Sequence, residues 1–270
     1  MGKITRFIAF LDILGFKELI ENNDIHYVEK LYDKFEPSLL YSLALTNFRW
    51  RVNNLSNPGL PDLDKIPLNS LTISDSIIIW TDDSTAYSFV QLLNTVKYHL
   101  GLSFQYGVPL RGGITFGEFV VKSGSHNKSK KQNEFITILG KPLTKAYLLE
   151  NQAEWAGCIV DDSCIEFYDN LESNADSEFL QQINLLKRYK VPFKNGEIKD
   201  YYTINWTNFG NRLDRSLVRK AFSEHNKRVN NWSVENKIRN TEKYWDDTEI
   251  DFVNLGKFLE DEIKAKQHKQ

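Results

Sequence analysis

Two aspartates of this chain stand where hydrophobic neighbours disfavour a charge. Asp12 ends the run Phe7-Ile8-Ala9-Phe10-Leu11, and Asp75 precedes Ser76-Ile77-Ile78-Ile79-Trp80. A carboxylate among β-branched and aromatic residues is costly to desolvate unless something compensates its charge. Two such acids on two strands are most simply explained by divalent cations held between them, because hard cations take oxygen ligands. The chemistry this predicts is metal-assisted phosphoryl transfer, in which one cation activates a hydroxyl and a second neutralises a triphosphate and its leaving group. Ile13-Leu14-Gly15-Phe16 turns from Asp12 into a helix, so its backbone N–H groups are candidates for phosphate oxygens. The structural alternative is that Asp12 caps that helix and Asp75 sits in a solvent-facing turn.

Other polar groups are less specific. Arg111 directly precedes Gly112-Gly113, where a guanidinium suits bidentate phosphate contact or a surface salt bridge. Glu118 and Glu150 read as structural partners of Lys122 or Lys145. Lys122, Lys128, Lys130 and Lys131 surround a Gly/Ser-rich loop, which either steers a polyphosphate or is plain solvated surface. Cys158 and Cys164 have no histidine nearby to complete a metal site and read as packing residues. The five histidines are scattered and none is assigned to chemistry.

The elements that must carry these residues follow from periodicity. Lys17 to Leu45 predicts two helices, interrupted at Asn22-Asn23-Asp24 and at Pro37. Asn53 to Pro67 reads as a loop, the Asp75 strand follows, and Thr85 to Leu100 returns to helical spacing. Val108 to Val121 alternates and carries Gly112, Gly113 and Gly117, which suggests a strand, a close backbone approach and a second strand. Gly124 to Asn133 reads as a polar connector, Phe135 to Leu139 as a short strand, and Leu143 to Ala153 as a helix opened by Pro142. Cys158–Val160 and Tyr201–Trp206 are expected strands. From Leu217 onward, spaced apolar residues among Asn, Lys, Glu and Arg predict amphipathic helices. This order is that of an α+β fold with helices covering a sheet.

At 270 residues, with 41% hydrophobic content, the chain can bury one sizeable core plus an appendage, since domains of roughly 100–200 residues are usual. The expected division is a main domain over 1–210 and a helical C-terminal extension over 211–270. A net charge of -2 argues against binding nucleic acid through a broad basic surface. No run approaches the roughly 18 apolar residues that span a bilayer, and the N-terminus lacks the pattern of a signal peptide. The expectation is a soluble, cytoplasmic enzyme without nucleic-acid or membrane partners.

Four segments then carry a family resemblance. Phe10-Leu11-Asp12-Ile13-Leu14-Gly15-Phe16, Ile73-Ser74-Asp75, Arg111-Gly112-Gly113-Ile114-Thr115-Phe116-Gly117-Glu118 and Leu139-Gly140-Lys141-Pro142-Leu143-Thr144-Lys145-Ala146-Tyr147-Leu148-Leu149-Glu150 occur in an order and spacing that resemble class III nucleotide cyclases. The resemblance covers roughly residues 5 to 165 and implies a ferredoxin-like core sheet covered by helices. It implies that Asp12, Asp75 and the backbone carbonyl of Ile13 hold two Mn²⁺ or Mg²⁺ ions. It implies that Phe10, Leu14, Gly15 and Phe16 meet the nucleotide, and that the chain works as a homodimer with sites at the interface.

The departures from the purine cyclases also carry information. The purine-selecting lysine and acid fall at Asn69 and Thr137, and the asparagine and arginine that serve the transition state fall at Thr144 and Leu148. Asn69 and Thr137 can donate and accept hydrogen bonds to a uracil or cytosine edge. Phe48, Trp50 or Tyr147 can supply an aromatic wall for the smaller base, or belong to ordinary packing. Asp-Ile-Leu-Gly-Phe, Ser-Asp-Ser, Arg-Gly-Gly-Ile and Ala-Tyr-x-Leu-Glu together look like the pyrimidine cyclases of bacterial Pycsar antiphage systems. That resemblance implies conversion of UTP to 3′,5′-cyclic UMP and pyrophosphate, with a separate effector activated by the product. Arg111 would offset developing charge, and Thr144 would replace the missing amide donor. The alternatives are a cytidylate cyclase acting on CTP, or a catalytically silent nucleotide-binding homologue.

Overall fold

The computed structural model describes residues 4–46, 66–128, 131–171, 176–208 and 213–248. Its centre is β1 (Thr5–Ile13), which pairs antiparallel with β3 (Ser76–Thr81) on one side and β4 (Leu110–Glu118) on the other. With β2 (Leu68–Ile73), β7 (Gly157–Val160), β8 (Leu186–Pro192) and β9 (Ile198–Ile204), these strands form a seven-stranded sheet in the order β2-β3-β1-β4-β7-β9-β8. Among the described strands only the β4–β7 pairing is parallel. β5 (Val120–Lys128) and β6 (Lys131–Leu139) make a separate two-stranded ribbon. The result is the expected mixed α+β architecture.

Alternate strand residues point to opposite faces, and β1 separates them clearly. Phe7, Ala9, Leu11 and Ile13 face a core roofed by α2 (Ile25–Thr46) and α3 (Ala86–Gln105), with Phe7 stacked on Phe89 at 4.4 Å. Ile8, Phe10 and Asp12 face the other way. There, Ile8, Ile78, Trp80 and Phe119 form a second, smaller cluster against which Val121 and Ile138 of the ribbon pack. α4 (Lys141–Gln152) crosses this second face.

Several boundaries differ from the sequence expectation. The first helical stretch does break near Asn22, into α1 (Phe16–Glu21) and α2, but α2 runs through Pro37. Its buried stripe of Val28, Leu31, Phe35, Leu39 and Leu43 outweighs one lost backbone donor. Over Val108 to Val121 the expected two strands are present, with Gly112 and Gly113 inside β4 opposite Leu11 and Phe10 and the break at Phe119. Much of the expected polar connector is the end of the β5–β6 ladder.

Two short helices, α5 (Asp162–Asp169) and α6 (Ser177–Gln182), link β7 to β8. Past residue 211, the described chain forms α7 (Ser216–Ser223) and α8 (232–248). Val218, Ala221, Phe222, Ile238, Tyr244 and Trp245 from these helices join the same core as the sheet. Tyr244 Oη donates to the Ile204 carbonyl at 2.8 Å, and Thr241 Oγ1 accepts the Ala156 N–H at 2.8 Å. Cys158 and Cys164 are free and buried in this core, and burial pushes both thiols up. No described helix is long and apolar enough to cross a membrane.

Candidate active site

The end of β1 and the β2–β3 turn bring the two anomalous acids together. Ser74 and Asp75 form a two-residue turn between paired Ile73 and Ser76, with Ser74 in the left-handed region at φ 57°. The Ile13 N–H donates to the Asp75 carbonyl at 3.0 Å, which ties the turn to the strand end that carries Asp12. Tyr32 of α2 braces the turn from behind by donating its hydroxyl to the Ser74 carbonyl at 3.2 Å. Its phenol is raised well above the usual value by burial, and Asp75, Glu36 and Asp12 add to the shift.

Asp12 sits between Ser76 of β3 and Arg111 of β4 in the ladder. Burial, with the Glu150 and Asp75 carboxylates nearby, pushes its pKa up to about 7 despite the opposing influence of Arg111 and a hydrogen bond from Ser76. The donor chemistry is therefore all oxygen, and the local charge is in excess of its counter-charge. Two carboxylates and strand-end carbonyls of this kind suit Mg²⁺ or Mn²⁺. Among the described residues no group of three or more His, Cys, Asp or Glu side chains is placed to hold a metal, so remaining ligands would come from substrate and water.

Arg111, expected to present its guanidinium to phosphate, is only 6% exposed. Its Nε donates to Glu150 Oε1 at 2.7 Å, one terminal nitrogen donates to the same oxygen, and the other donates to the Ala153 carbonyl at 2.8 Å. Glu150 therefore pairs with Arg111 rather than with a lysine, while Lys145 bonds Asp161 Oδ1 at 2.7 Å. Removing either partner of such a buried pair typically costs about 3–5 kcal/mol, because it strands a charge.

The remaining expected site residues are distributed as follows. Leu14 is buried, and its N–H donates to Pro109 O at 2.9 Å, so with Ile13 also engaged any phosphate contact from this turn falls to Gly15 and beyond. Gly15 is exposed at φ 80°, and Phe16 is half-buried with its ring edge toward Tyr32. Phe10 meets Tyr147 of α4 edge-on at 5.5 Å. Asn69 is exposed on β2, donates to Asp82 Oδ1 at 2.6 Å, and lies level with Ile8, about 13 Å along β1 from Asp12 at strand rise. Thr137 is exposed on β6, and Thr144 and Leu148 are exposed on α4, whose sheet-facing positions are Pro142, Ala146, Leu149 and Glu150. Trp50 and Phe48 lie outside the described residues.

Sequence reasoning missed Tyr32 and the true partner of Glu150. Tyr32 lay within a helix whose apolar stripe drew attention to Leu31 and Phe35, and nothing local marked its hydroxyl.

No protein-family model matches the chain, and no curated protein is significantly similar to it. Among solved structures, the chain is similar to a bacterial light-regulated adenylyl cyclase, at 14% identity and TM-score 0.44, over 82% of this chain and 100% of that one. It is also similar to the adenylyl cyclase CyaB from P. aeruginosa, at 11% identity and TM-score 0.44, over 75% and 94%. A third is the guanylyl cyclase Cya2, at 13% identity and TM-score 0.43, over 79% and 100%. Likenesses this distant are likenesses of shape, and the functional reading rests on the residues.

Proposed function

We propose that this protein is a homodimeric nucleotide cyclase of the class III type that converts UTP to 3′,5′-cyclic UMP and pyrophosphate. The observation that carries the reading is the junction of Asp12 with Asp75, fastened by the Ile13 N–H to Asp75 carbonyl bond. Two divalent cations held by Asp12, Asp75 and the Ile13 carbonyl would supply triphosphate charge neutralisation and a lowered pKa for the ribose 3′-hydroxyl. The 3′-oxygen attacks the α-phosphorus, the bond to the β-phosphate oxygen breaks, pyrophosphate leaves, and the hydroxyl proton passes to solvent.

The chain's own residues then have distinct parts. Arg111 lies across the ladder from Asp12 and would act through it, because its Nε and both terminal nitrogens donate to Glu150 and Ala153. Gly15 and Phe16 sit where the turn meets solvent and can take phosphate oxygens. Thr144 and Leu148 lie on the side of α4 away from the sheet, so their contact with substrate would be with a nucleotide held by Asp12 and Asp75 of a second subunit. A pyrimidine is favoured by the neutral Asn69 and Thr137, since neither offers the charge that selects a purine in the family the motifs resemble. The resemblance to the Pycsar enzymes further supports a defence role in which the product activates a separate effector.

The test is incubation of purified protein with each of the four nucleoside triphosphates and Mn²⁺, followed by separation of products. Cyclic UMP with equimolar pyrophosphate from UTP is the expected result. Cyclic CMP from CTP instead would keep the cyclase and change the base. No cyclic product from any nucleotide, by protein shown to be folded and dimeric, would leave a silent nucleotide-binding protein.

A further inference from the structure

The segment that follows α7 fastens onto α1, the helix that leads out of the turn beside Asp12. His225 and Asn226 adopt left-handed backbone at φ 60° and 58°, an unusual pair for residues other than glycine. Around this kink, Asn22 Nδ2 donates to the Asn226 carbonyl at 2.9 Å and Asn23 Nδ2 donates to the His225 carbonyl at 2.7 Å. Asn226 Nδ2 donates back to Asn23 Oδ1 at 2.8 Å, and the Arg228 N–H donates to Glu18 Oε2. Glu18 lies in α1, and Asn22 and Asn23 lie directly after it, so the segment holds the helix that leads out of Gly15.

Lys227 anchors this grip. Its ammonium is buried and donates to the Gly107 carbonyl at 2.6 Å and the Ala221 carbonyl at 2.8 Å, just past the end of α3 and within α7. Capping carbonyls there satisfies acceptors that the helix ends leave open. Its aliphatic stem lies directly under Gly15, where an added Cβ would come within 3.0 Å of Lys227 Cδ. Gly107 is the matching seat: a Cβ there would meet Glu224 Oε2 at 2.2 Å and His225 Nε2 at 2.7 Å. His225 completes the fastening with Nε2 on the Tyr106 carbonyl at 2.7 Å and Nδ1 against the Tyr27 hydroxyl at 2.8 Å. These contacts are polar, and they adjoin the main core at Ala221 and Leu19.

We infer that residues 224–228 are a strap with Lys227 as a positioning residue, through which the C-terminal segment sets the geometry of the Gly15–Phe16 turn and hence the grip on the nucleotide's phosphates. The inference rests on the cyclase reading for the ligand, but not for the mechanical coupling of strap to turn.

The experiment compares wild type with Lys227→Met, which keeps an unbranched stem under Gly15 and removes the ammonium, and with the double variant Glu18→Gln/Asn23→Ala, which leaves Lys227 in place should Lys227→Met fail to fold. Arg219→Ala serves as control. Arg219 bridges Glu235 and Glu242 between α7 and α8, so its loss loosens the same helices without touching the strap. Amide exchange in peptides covering residues 14–21 is expected to rise about tenfold in the strap variants and to stay unchanged in Arg219→Ala. KM for the nucleotide should rise about fivefold or more in the strap variants with kcat within about twofold of wild type. Unchanged exchange over 14–21 in a folded strap variant overturns the inference, as does an equal rise in Arg219→Ala. If no nucleotide is turned over by wild type, the cyclase reading falls, and the exchange measurement alone decides the strap.

Discussion

Asp12 is held in a state that a free aspartate would not adopt. Its folded-state pKa, pushed from 3.8 to about 7, means that between those values the folded chain keeps a proton which the unfolded chain has lost. Stability therefore falls as pH rises from about 4 to about 7 and then levels off. Asp12→Asn removes that dependence, so its melting temperature should match wild type near pH 4 and exceed it at pH 8, while its turnover is abolished. Thermal melts at the two pH values check the first part, and Mn²⁺ should stabilise wild type but not the variant at pH 8. A gap between the two proteins that does not widen with pH would mean that Asp12 is already compensated within the chain, by Arg111 and Ser76, without a metal ion. Asp12 stood out in the sequence because an acid in an apolar run is an anomaly, whereas Asp75, read on one strand over 71–80, lies in the turn between β2 and β3. The Arg111–Glu150 pair was not legible, because it joins residues 39 positions apart on a strand and a helix, and sequence proximity pointed to lysines instead.

At the scale of elements, the site depends on how closely α4 lies on the sheet. Gly113 makes that approach possible: a Cβ there would stand 2.8 Å from the Ala146 carbonyl oxygen and 2.9 Å from Leu149 Cβ, both in α4. The helix must therefore move to accept any side chain, and Glu150, Tyr147 and Thr144 move with it. Gly113→Ala is expected to cost about 1–3 kcal/mol in urea unfolding, as overpacking commonly does, and to reduce turnover by more than Gly124→Ala, which alters only the ribbon. Equal activity in the two variants would separate α4 from the chemistry. Periodicity located α4, α3 and most strands to within a few residues, since their apolar stripes are strong. It read a close approach among Gly112, Gly113 and Gly117, and the packing of α4 shows that Gly113 makes it. It read Gly124 to Asn133 as connector because a ladder held by backbone hydrogen bonds needs no apolar alternation to continue.

At the scale of the whole molecule, the described residues leave apolar side chains exposed on the face that carries Asp12. On the side of the sheet that carries Asp12, Ile73 is 59% exposed, Ile136 52% and Tyr147 45%, next to the small cluster of Ile8, Ile78, Trp80 and Phe119. Apolar groups gathered beside a charged site are the usual mark of a surface that another chain covers. The residue placement adds a second argument. Asp12 and Asp75 lie at the strand end, whereas Thr144 and Leu148 are exposed on α4, so under the proposed reading one chain would supply two separate half-sites. A two-fold dimer would join the aspartates of each subunit to α4 of the other and make two complete sites. This arrangement predicts complementation. Asp75→Ala and Thr144→Tyr should each be inactive alone, one lacking a metal ligand and the other blocking the facing half-site. In a mixed dimer both lesions fall in one site and the other site is intact. With free subunit exchange at equal concentrations, half the dimers are mixed and each carries one working site of two, so about a quarter of wild-type activity should return. Cyclic nucleotide formation by the mixture, with subunit exchange confirmed by mass-labelled protomers, is the measurement. Activity that stays at zero after exchange would place Asp75 and Thr144 in the same half-site and remove the shared-site dimer.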